Sequence, residues 1–296
     1  MQPCVSQIRR YQVQHDDYFG SLEEYIKRLN EDSRRTYDYV KSKELCKDPM
    51  NQLIEKYKLS EKSVFALAPN FGHEEYWFYK NGCTLTFLDI DEGRIIENYL
   101  KRLPPSKQRN SFTYFVGDAA QFSKDYGSVG KYDVFYVSGF TLDELRRGRI
   151  QTRNSSLCKK ALNRICHTII KKRFLATWPM NENPYMDLVV CLASDNLKQG
   201  GLFISQSYAN GVDVKSNPHF VKLIKRQLSY IGITLLKLYC LRSVPQVTLA
   251  VGLRADNGHA LNYLEETEKS EEITSFHGRH PCSALGCEVV YECSGK

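Results

Sequence analysis

Two aspartates and one short turn are the residues whose types and positions could bind a polar ligand. Asp89 and Asp118 each follow an apolar run of strand length, and the turn at 68–72 (APNFG) follows another such run. A turn that opens into a helix presents backbone N–H groups and the positive end of a helix dipole. A carboxylate at a strand end can accept two hydrogen bonds from a ribose diol. Together these features indicate a nucleotide-type site.

Each of these features also has a purely structural interpretation. A single glycine in a turn between a strand and a helix is common, and an aspartate after a strand can cap the next helix. Two further segments favour the site. "FTYFVGDAAQF" (112–122) is a second strand that ends in an acid, and "DNLKQGGLFISQSY" (195–208) leads from a helix through Gly200 and Gly201 into a strand.

The elements that must position these residues alternate along the chain. Short apolar runs occur at 64–68, 85–88, 112–116, 134–137, 202–205, 235–241 and 247–251, with helical stretches between most of them. This alternation predicts a parallel sheet that is covered by helices on both faces. Only "RSVPQ" separates the last two runs, so they are predicted to pair antiparallel. Ligands of such sheets bind beyond the carboxyl ends of the strands, near the switch point.

The chain divides into three parts by pattern. Residues 1–60 are predicted to be an N-terminal helical region, residues 61–254 the α/β domain, and residues 255–296 a polar tail. Within the tail, a strand through Glu288–Tyr291 that adds to a sheet edge is favoured. A zinc site is disfavoured because no C-x-x-C pair accompanies the metal-ligand types in the tail, which are His277, His280, Cys282, Cys287 and Cys293.

The basic charge of the protein belongs to one segment, which lies within a predicted helical insertion at 141–182. Ten lysines and arginines and no acids occur between Arg146 and Arg173. Because the whole chain has a formal net charge of +7, the residues outside this segment carry a net charge of −3. Three interpretations stay open: a solvated basic helix face, attraction of an anionic small substrate, or a nucleic-acid contact surface through Arg146–Arg173.

The composition of the chain indicates the kind of cellular compartment in which the protein is expected. No run of 18 apolar residues occurs, so no membrane span is predicted, and the first twenty residues lack the apolar region of a signal peptide. The ten cysteines are scattered, and Cys83, Cys191 and Cys240 lie inside apolar runs. Because cysteine often behaves as a small buried hydrophobe, a reducing, cytoplasmic setting is expected.

The order of motifs resembles the class I S-adenosylmethionine-dependent methyltransferases over roughly residues 60–253. "FALAPNFGHEEYW" looks like the family's first motif in the variant with a proline in the turn and a glutamate opening the helix, as in small-molecule enzymes of the thiopurine-methyltransferase-like type. "YDVFYVSGF" (132–140) looks like the fourth strand with its substrate-facing loop, and "LKQGGLFI" is close to the family's approach to the fifth strand. Family members usually carry several glycines in the first turn, where this chain has only Gly72.

The resemblance implies a Rossmann-like, doubly wound α/β fold: a mostly parallel seven-stranded sheet with an antiparallel last strand, N-terminal helices and a helical insertion. It implies S-adenosylmethionine as the cofactor, with Asp89 as ribose ligand and Asp118 with Ala119 in adenine recognition. The implied cofactor-binding set is Ala68, Pro69, Asn70, Gly72, Asp89, Ile90, Asp118, Ala119 and Ser138.

The implied function is methyl transfer to a small, polar or anionic acceptor. Two alternatives stay open: an RNA or DNA methyltransferase that uses the basic segment, and a non-catalytic partner protein that has the fold alone. A dinucleotide site is disfavoured because no register supplies the G-x-G-x-x-G pattern. His73, Asp143 and His167 are candidate bases, but none has a distinctive spacing, so no catalytic residue is assigned.

Overall fold

The computed structural model describes residues 8–14, 47–69, 72–89, 111–126, 130–138, 189, 192–208, 218–241, 247–255, 257–267, 273–274 and 286–292. The predicted insertion at 141–182, its basic residues included, and most of the predicted N-terminal helical region lie outside these ranges. Within them, none of the helices combines the length and the hydropathy that a membrane-spanning helix requires.

In the described part of the chain, ten strands form one sheet. They are β1 Arg9–Gln14, β2 Ser63–Leu67, β3 Thr84–Asp89, β4 Ser111–Val116, β5 Tyr132–Ser138, β6 Leu197–Tyr208, β7 Thr234–Leu241, β8 Val247–Leu253, β9 Ile273–Thr274 and β10 Gly286–Glu292. The described helices are α1 (47–56), α2 Glu75–Lys80, α3 Ala119–Tyr126, α4 (192–196), α5 Pro218–Ser229 and α6 Asn257–Thr267.

The strand order is β1-β4-β3-β2-β5-β6-β8-β7-β10-β9. Strands β4, β3, β2, β5 and β6 are parallel, and β8 runs antiparallel to both β6 and β7. The predicted Rossmann-like, mostly parallel sheet with an antiparallel strand near its end is therefore confirmed. The predicted count of seven strands is wrong, because β1, β9 and β10 extend the sheet beyond those seven. The order reverses between β2 and β5, which makes the gap between their carboxyl ends the switch point.

The strands are buried because both faces of the sheet are covered. In β2, Val64 and Ala66 face a core with α1, α2 and α6, whereas Phe65 and Leu67 face a core with α3, α4 and α5. This alternation follows from the two-residue period of a strand, and it explains why the parallel strands are continuously apolar in sequence. Phe65 stacks on Phe135 of the neighbouring β5 at a centroid distance of 5.4 Å.

The N-terminal prediction is corrected in part. Residues 9–14, assigned to a helical region, form the edge strand β1, which pairs antiparallel with β4. Gln12 Nε2 donates to Thr113 Oγ1 at 2.8 Å across this pair. The partner strand is about a hundred residues away in sequence, so local helix propensity gave no sign of the pairing. The helical prediction holds for α1.

The C-terminal prediction is also corrected in part. The region assigned to a polar tail contains α6, whose Ala260 and Leu264 are buried in the core. The predicted tail strand is confirmed: β10 pairs antiparallel with β7, and β9 pairs with β10. Of the metal-ligand types in the tail, Cys287 lies in β10. The others lie outside the described residues: His277, His280, Cys282 and Cys293.

The approach to β6 contains a glycine that close packing requires. A Cβ on Gly201 would lie 2.8 Å from Leu197 Cδ1 and 2.9 Å from the carbonyl oxygen of Lys198. The preceding helix α4 ends at residue 196, and β6 begins at once, so the glycine pair lies inside the strand rather than at the end of the predicted helix.

Candidate functional site

The carboxyl ends of the parallel strands are level with one another. Leu67 of β2 pairs with Leu88 of β3 on one side and with Val137 of β5 on the other. Farther out, Asp89 pairs with Val116, and Ser138 pairs with Gln206 of β6. The carboxyl ends of these strands therefore lie at one edge of the sheet, around the switch point.

The turn after β2 has a glycine-like conformation at an alanine. Ala68 has a φ of +54°, in the left-handed region, and its N–H donates to the carbonyl of Leu88 at 2.8 Å. Gly72 also has a positive φ, +69°, and its N–H donates to the carbonyl of Pro69 at 2.8 Å. Pro69 and Gly72 are buried and Ala68 is half-buried. Asn70, the fourth predicted site residue of this turn, lies outside the described residues.

Asp89 ends β3 with its side chain almost wholly enclosed, at 8% exposure. Its backbone carbonyl accepts a hydrogen bond from the N–H of Gly117 at 2.9 Å, which ties the end of β3 to the residue after β4. The carboxylate is therefore fixed at the strand end by the ladder rather than by a flexible loop. Ile90, the next predicted site residue, lies outside the described residues.

Asp118 caps a helix, which is the structural role that an aspartate after a strand can have. Its Oδ1 accepts a hydrogen bond from the backbone N–H of Gln121 at 3.0 Å, which caps the N-terminus of α3. Ala119 is the first residue of that helix and is half-buried. The adenine-recognition role implied for these two residues stays a prediction, and the contact observed for Asp118 is the capping hydrogen bond.

The structure adds three polar residues that the sequence did not single out as a site. Gln206 at the edge of β6 and Glu74 before α2 are both buried, and Gln206 Nε2 donates to Glu74 Oε1 at 3.2 Å. Glu75, the first residue of α2, is 1% exposed. The sequence offers two signals for these residues: two glutamates at a partly apolar helix start, and a glutamine directly after the apolar run 202–205. Neither signal shows that the side chains meet.

Burial raises the pKa of the Glu75 carboxyl well above its ordinary value, and the neighbouring charges of Glu74 and Asp89 act in the same direction. Its own backbone N–H acts in the opposite direction, but neither carboxyl oxygen has a hydrogen-bond partner of acceptable geometry. Burial and the two neighbouring acids therefore favour the protonated, neutral form of the Glu75 carboxyl.

The structure brings the described part of the predicted set to one edge: Ala68, Pro69, Gly72, Asp89, Asp118, Ala119 and the backbone of Ser138. No cluster of three or more histidine, cysteine, aspartate or glutamate side chains suited to a metal ion occurs within the ranges that the structure describes. The polar groups at this edge are carboxyl oxygens, which accept hydrogen bonds, backbone N–H groups, which donate them, and one amide, which does both. Such a set suits a polar organic ligand.

No protein-family profile matches the sequence, and no curated protein matches it significantly. Solved structures with a similar chain path include magnesium protoporphyrin IX methyltransferase from Synechocystis PCC 6803 with bound SAH. That protein is 13% identical, with 81% of this chain and 97% of that chain covered and a TM-score of 0.42.

Another is the fibrillarin pre-rRNA processing protein of Methanococcus jannaschii, at 14% identity, 67% and 68% coverage and a TM-score of 0.39. A glycopeptide N-methyltransferase is 10% identical, with 70% and 89% coverage and a TM-score of 0.43. At these identities the likeness concerns the fold alone. The Rossmann-like assignment itself rests on the strand order and strand directions described above.

Proposed function

We propose that this chain is an S-adenosylmethionine-dependent methyltransferase whose cofactor site is the carboxyl edge of β2, β3 and β4. One observation carries the proposal. The left-handed turn at Ala68 and the buried carboxylate of Asp89 are adjacent at the switch point, because the Ala68 N–H is bonded to the strand that ends in Asp89. A nucleoside cofactor needs this pairing of a close backbone approach with an acceptor for its ribose hydroxyls.

In this proposal each described residue has a separate task. Asp89 accepts hydrogen bonds from the ribose, and the segment at Asp118 and Ala119 lies beside the adenine. The turn from Ala68 to Gly72 lies against the methionine part. S-adenosylmethionine supplies an electrophilic methyl group, and the protein holds the acceptor in line with it, which is the main requirement of such a displacement.

The proposed acceptor is small and polar or anionic. The argument is electrostatic: ten positive charges lie between Arg146 and Arg173, in the stretch between β5 and β6 of a chain that is otherwise net negative. A concentration of one sign of charge raises the local concentration of oppositely charged ligands. The likeness to thiopurine-methyltransferase-like enzymes that the first motif suggests is part of this proposal.

Isothermal titration calorimetry with S-adenosylmethionine and S-adenosylhomocysteine tests the cofactor site. We expect both ligands to bind, and Asp89→Ala to weaken both by about 100-fold, because charge-assisted hydrogen bonds are each worth about 1.5–3 kcal/mol. Asp125→Ala is the matched control: Asp125 lies exposed on α3, and its removal is expected to leave both affinities unchanged. An absence of binding at millimolar ligand would overturn the proposal and favour a non-catalytic partner protein.

A salt titration distinguishes the nucleic-acid alternative, which the same basic segment favours. If the acceptor is RNA or DNA, oligonucleotide affinity falls steeply with salt and falls further when Arg146, Arg147 and Arg149 are replaced together by alanine. For a small acceptor we expect no measurable oligonucleotide affinity even at low salt. Tight, salt-dependent binding would replace the small acceptor by a nucleic acid while leaving the cofactor proposal in place.

A further inference from the structure

The buried carboxyl of Glu75 is the least explained polar group at this edge of the sheet. Its side chain is 1% exposed, and both of its oxygens lack a hydrogen-bond partner. Buried polar groups in folded proteins are nearly always paired, and leaving one unpaired costs stability. Such a group at a candidate ligand site indicates that a ligand supplies the missing donors.

The surroundings of Glu75 specify the charge of that ligand. Among the described residues, the charged groups whose fields act on the Glu75 carboxyl are Glu74 and Asp89, and both are acids. Gln206, which reaches the same place from β6, is neutral and donates its amide hydrogen to Glu74. The acids at the start of α2 and at the end of β3 therefore act on one another electrostatically, and a cation is the complementary partner.

The kind of cation follows from the oxygens themselves. A metal ion is disfavoured because these acids, within the described part of the chain, do not form a cluster suited to a metal. A sulfonium centre carries positive charge but no hydrogen to donate. A primary ammonium group has three N–H donors and a full positive charge, so it satisfies both the field of the acids and the unpaired oxygens of Glu75.

We propose that Glu75, with Glu74 beside it, binds the primary ammonium group of the ligand that occupies this edge. The inference rests on the proposed function, in which the ligand is S-adenosylmethionine and the ammonium belongs to its methionine part. In the bound state Glu75 pairs with the ammonium as a carboxylate, and the proton that the protonated form of the free carboxyl carries goes to solvent. Glu75 is thereby a cofactor-binding residue on α2, outside the turn and the strand ends.

Calorimetry with two thioether ligands, whose sulfur is uncharged, isolates the contribution of the ammonium group to binding. S-adenosylhomocysteine carries the amino-acid group, and 5′-methylthioadenosine has the same nucleoside thioether without it. We expect Glu75→Gln to weaken S-adenosylhomocysteine by about 10- to 100-fold and to leave 5′-methylthioadenosine within about twofold. Glu55→Gln, an exposed glutamate on α1, is the matched control and should change neither affinity.

The outcomes separate the inference from the proposed function. If both ligands bind the wild type and Glu75→Gln weakens them equally or not at all, the inference is overturned and the cofactor site stands. If neither ligand binds the wild type, both fail together. Glutamine has nearly the same shape as glutamate, so the ligand-free variant is expected to melt close to the wild-type temperature, and this measurement distinguishes a loss of affinity from a loss of folding.

Proton release is the second readout. Burial of Glu75 raises the pKa of its carboxyl in the free protein, whereas a bound ammonium favours the ionised form and lowers that pKa. We therefore expect a net release of protons, of at most about one, when S-adenosylhomocysteine binds, and an affinity that rises with pH by at most about tenfold per unit. Titrations in buffers of different ionisation enthalpy measure this number. No release by the wild type, or equal release by Glu75→Gln, would contradict the proposal.

Discussion

At the scale of single residues, Ala68 is one of three described non-glycine residues with a positive φ, beside Lys58 and Glu61. An L-residue in the left-handed region places its Cβ close to the following carbonyl oxygen, at a cost of roughly 1–2 kcal/mol. The bond from the Ala68 N–H to Leu88 holds the residue in that conformation. The turn thus keeps a path that glycine would follow without strain, which explains how a glycine-poor segment can still form it.

Replacing Ala68 by glycine tests this strain. We expect Ala68→Gly to leave the free energy of unfolding within about 1 kcal/mol of wild type, because relief of the strain offsets the added entropy of the unfolded chain. Ala66→Gly makes the same chemical change in the buried, extended part of β2, and it should cost at least about 1 kcal/mol. Urea denaturation measures both. Equal destabilisation by the two variants would show that Ala68 is not strained.

At the scale of elements, the attachment of β10 to β7 includes a buried charge. Lys237 of β7 is 1% exposed, and its Nζ lies 2.8 Å from Oε1 of Glu292, whose side chain is 36% exposed. The two residues are also partners in the β7–β10 ladder. The hydroxyls of Tyr57 and Tyr239 form a buried hydrogen bond of 2.9 Å, which connects the turn after α1 to the same strand. The C-terminal strand is therefore fixed by specific polar contacts as well as by its ladder.

Replacing either partner of this ion pair should lower the free energy of unfolding, by amounts that differ between the two partners. Glu292→Gln removes the counter-charge of a buried ammonium and should destabilise the protein by about 1–3 kcal/mol, less than for a fully buried pair because Glu292 is partly exposed. Lys237→Met replaces the cation by an apolar side chain of similar length and should cost less. Thermal or urea unfolding of both variants at neutral pH gives the comparison. A larger cost for Lys237→Met would contradict the buried-charge explanation.

At the scale of the whole molecule, the sheet extends past its parallel centre on both sides. Strand β1 covers β4 at one side, and β10 covers β7 at the other. Because β7 has β8 and β10 as neighbours, it is an interior strand, with Leu238, Tyr239 and Cys240 buried. Strands β9 and β10, which come from the region assigned to a tail, are accordingly part of the same hydrogen-bonded sheet.

Native-state hydrogen exchange distinguishes an integral strand from a loosely attached one. We expect the amides of β7 that pair with β10 to be protected about as strongly as those of β2, because both strands open only with the sheet. Mass spectrometry of peptic fragments resolves the two regions. Exchange of the β7 and β10 amides several orders of magnitude faster than those of β2 would show that the C-terminal strand opens as a separate unit.

The sequence by itself determined the strands of the parallel centre, the antiparallel β7–β8 pair and the C-terminal strand. These depend on local signals: the length of an apolar run, the five residues between two runs, and the residue that ends a strand. The same signals located Asp89 and Asp118, because the carboxyl end of a parallel strand is known once the strand is known.

Only the tertiary structure decided which polar residues meet. Gln206 and Glu74 are 132 residues apart in sequence and join because β6 and β2 are each neighbours of β5. The same packing encloses Glu75 against two other acids, and it pairs β1 with a strand about a hundred residues away. Burial and the charge of a neighbour are properties of packing, so the sequence could name the acids of this edge but not their protonation or their partners.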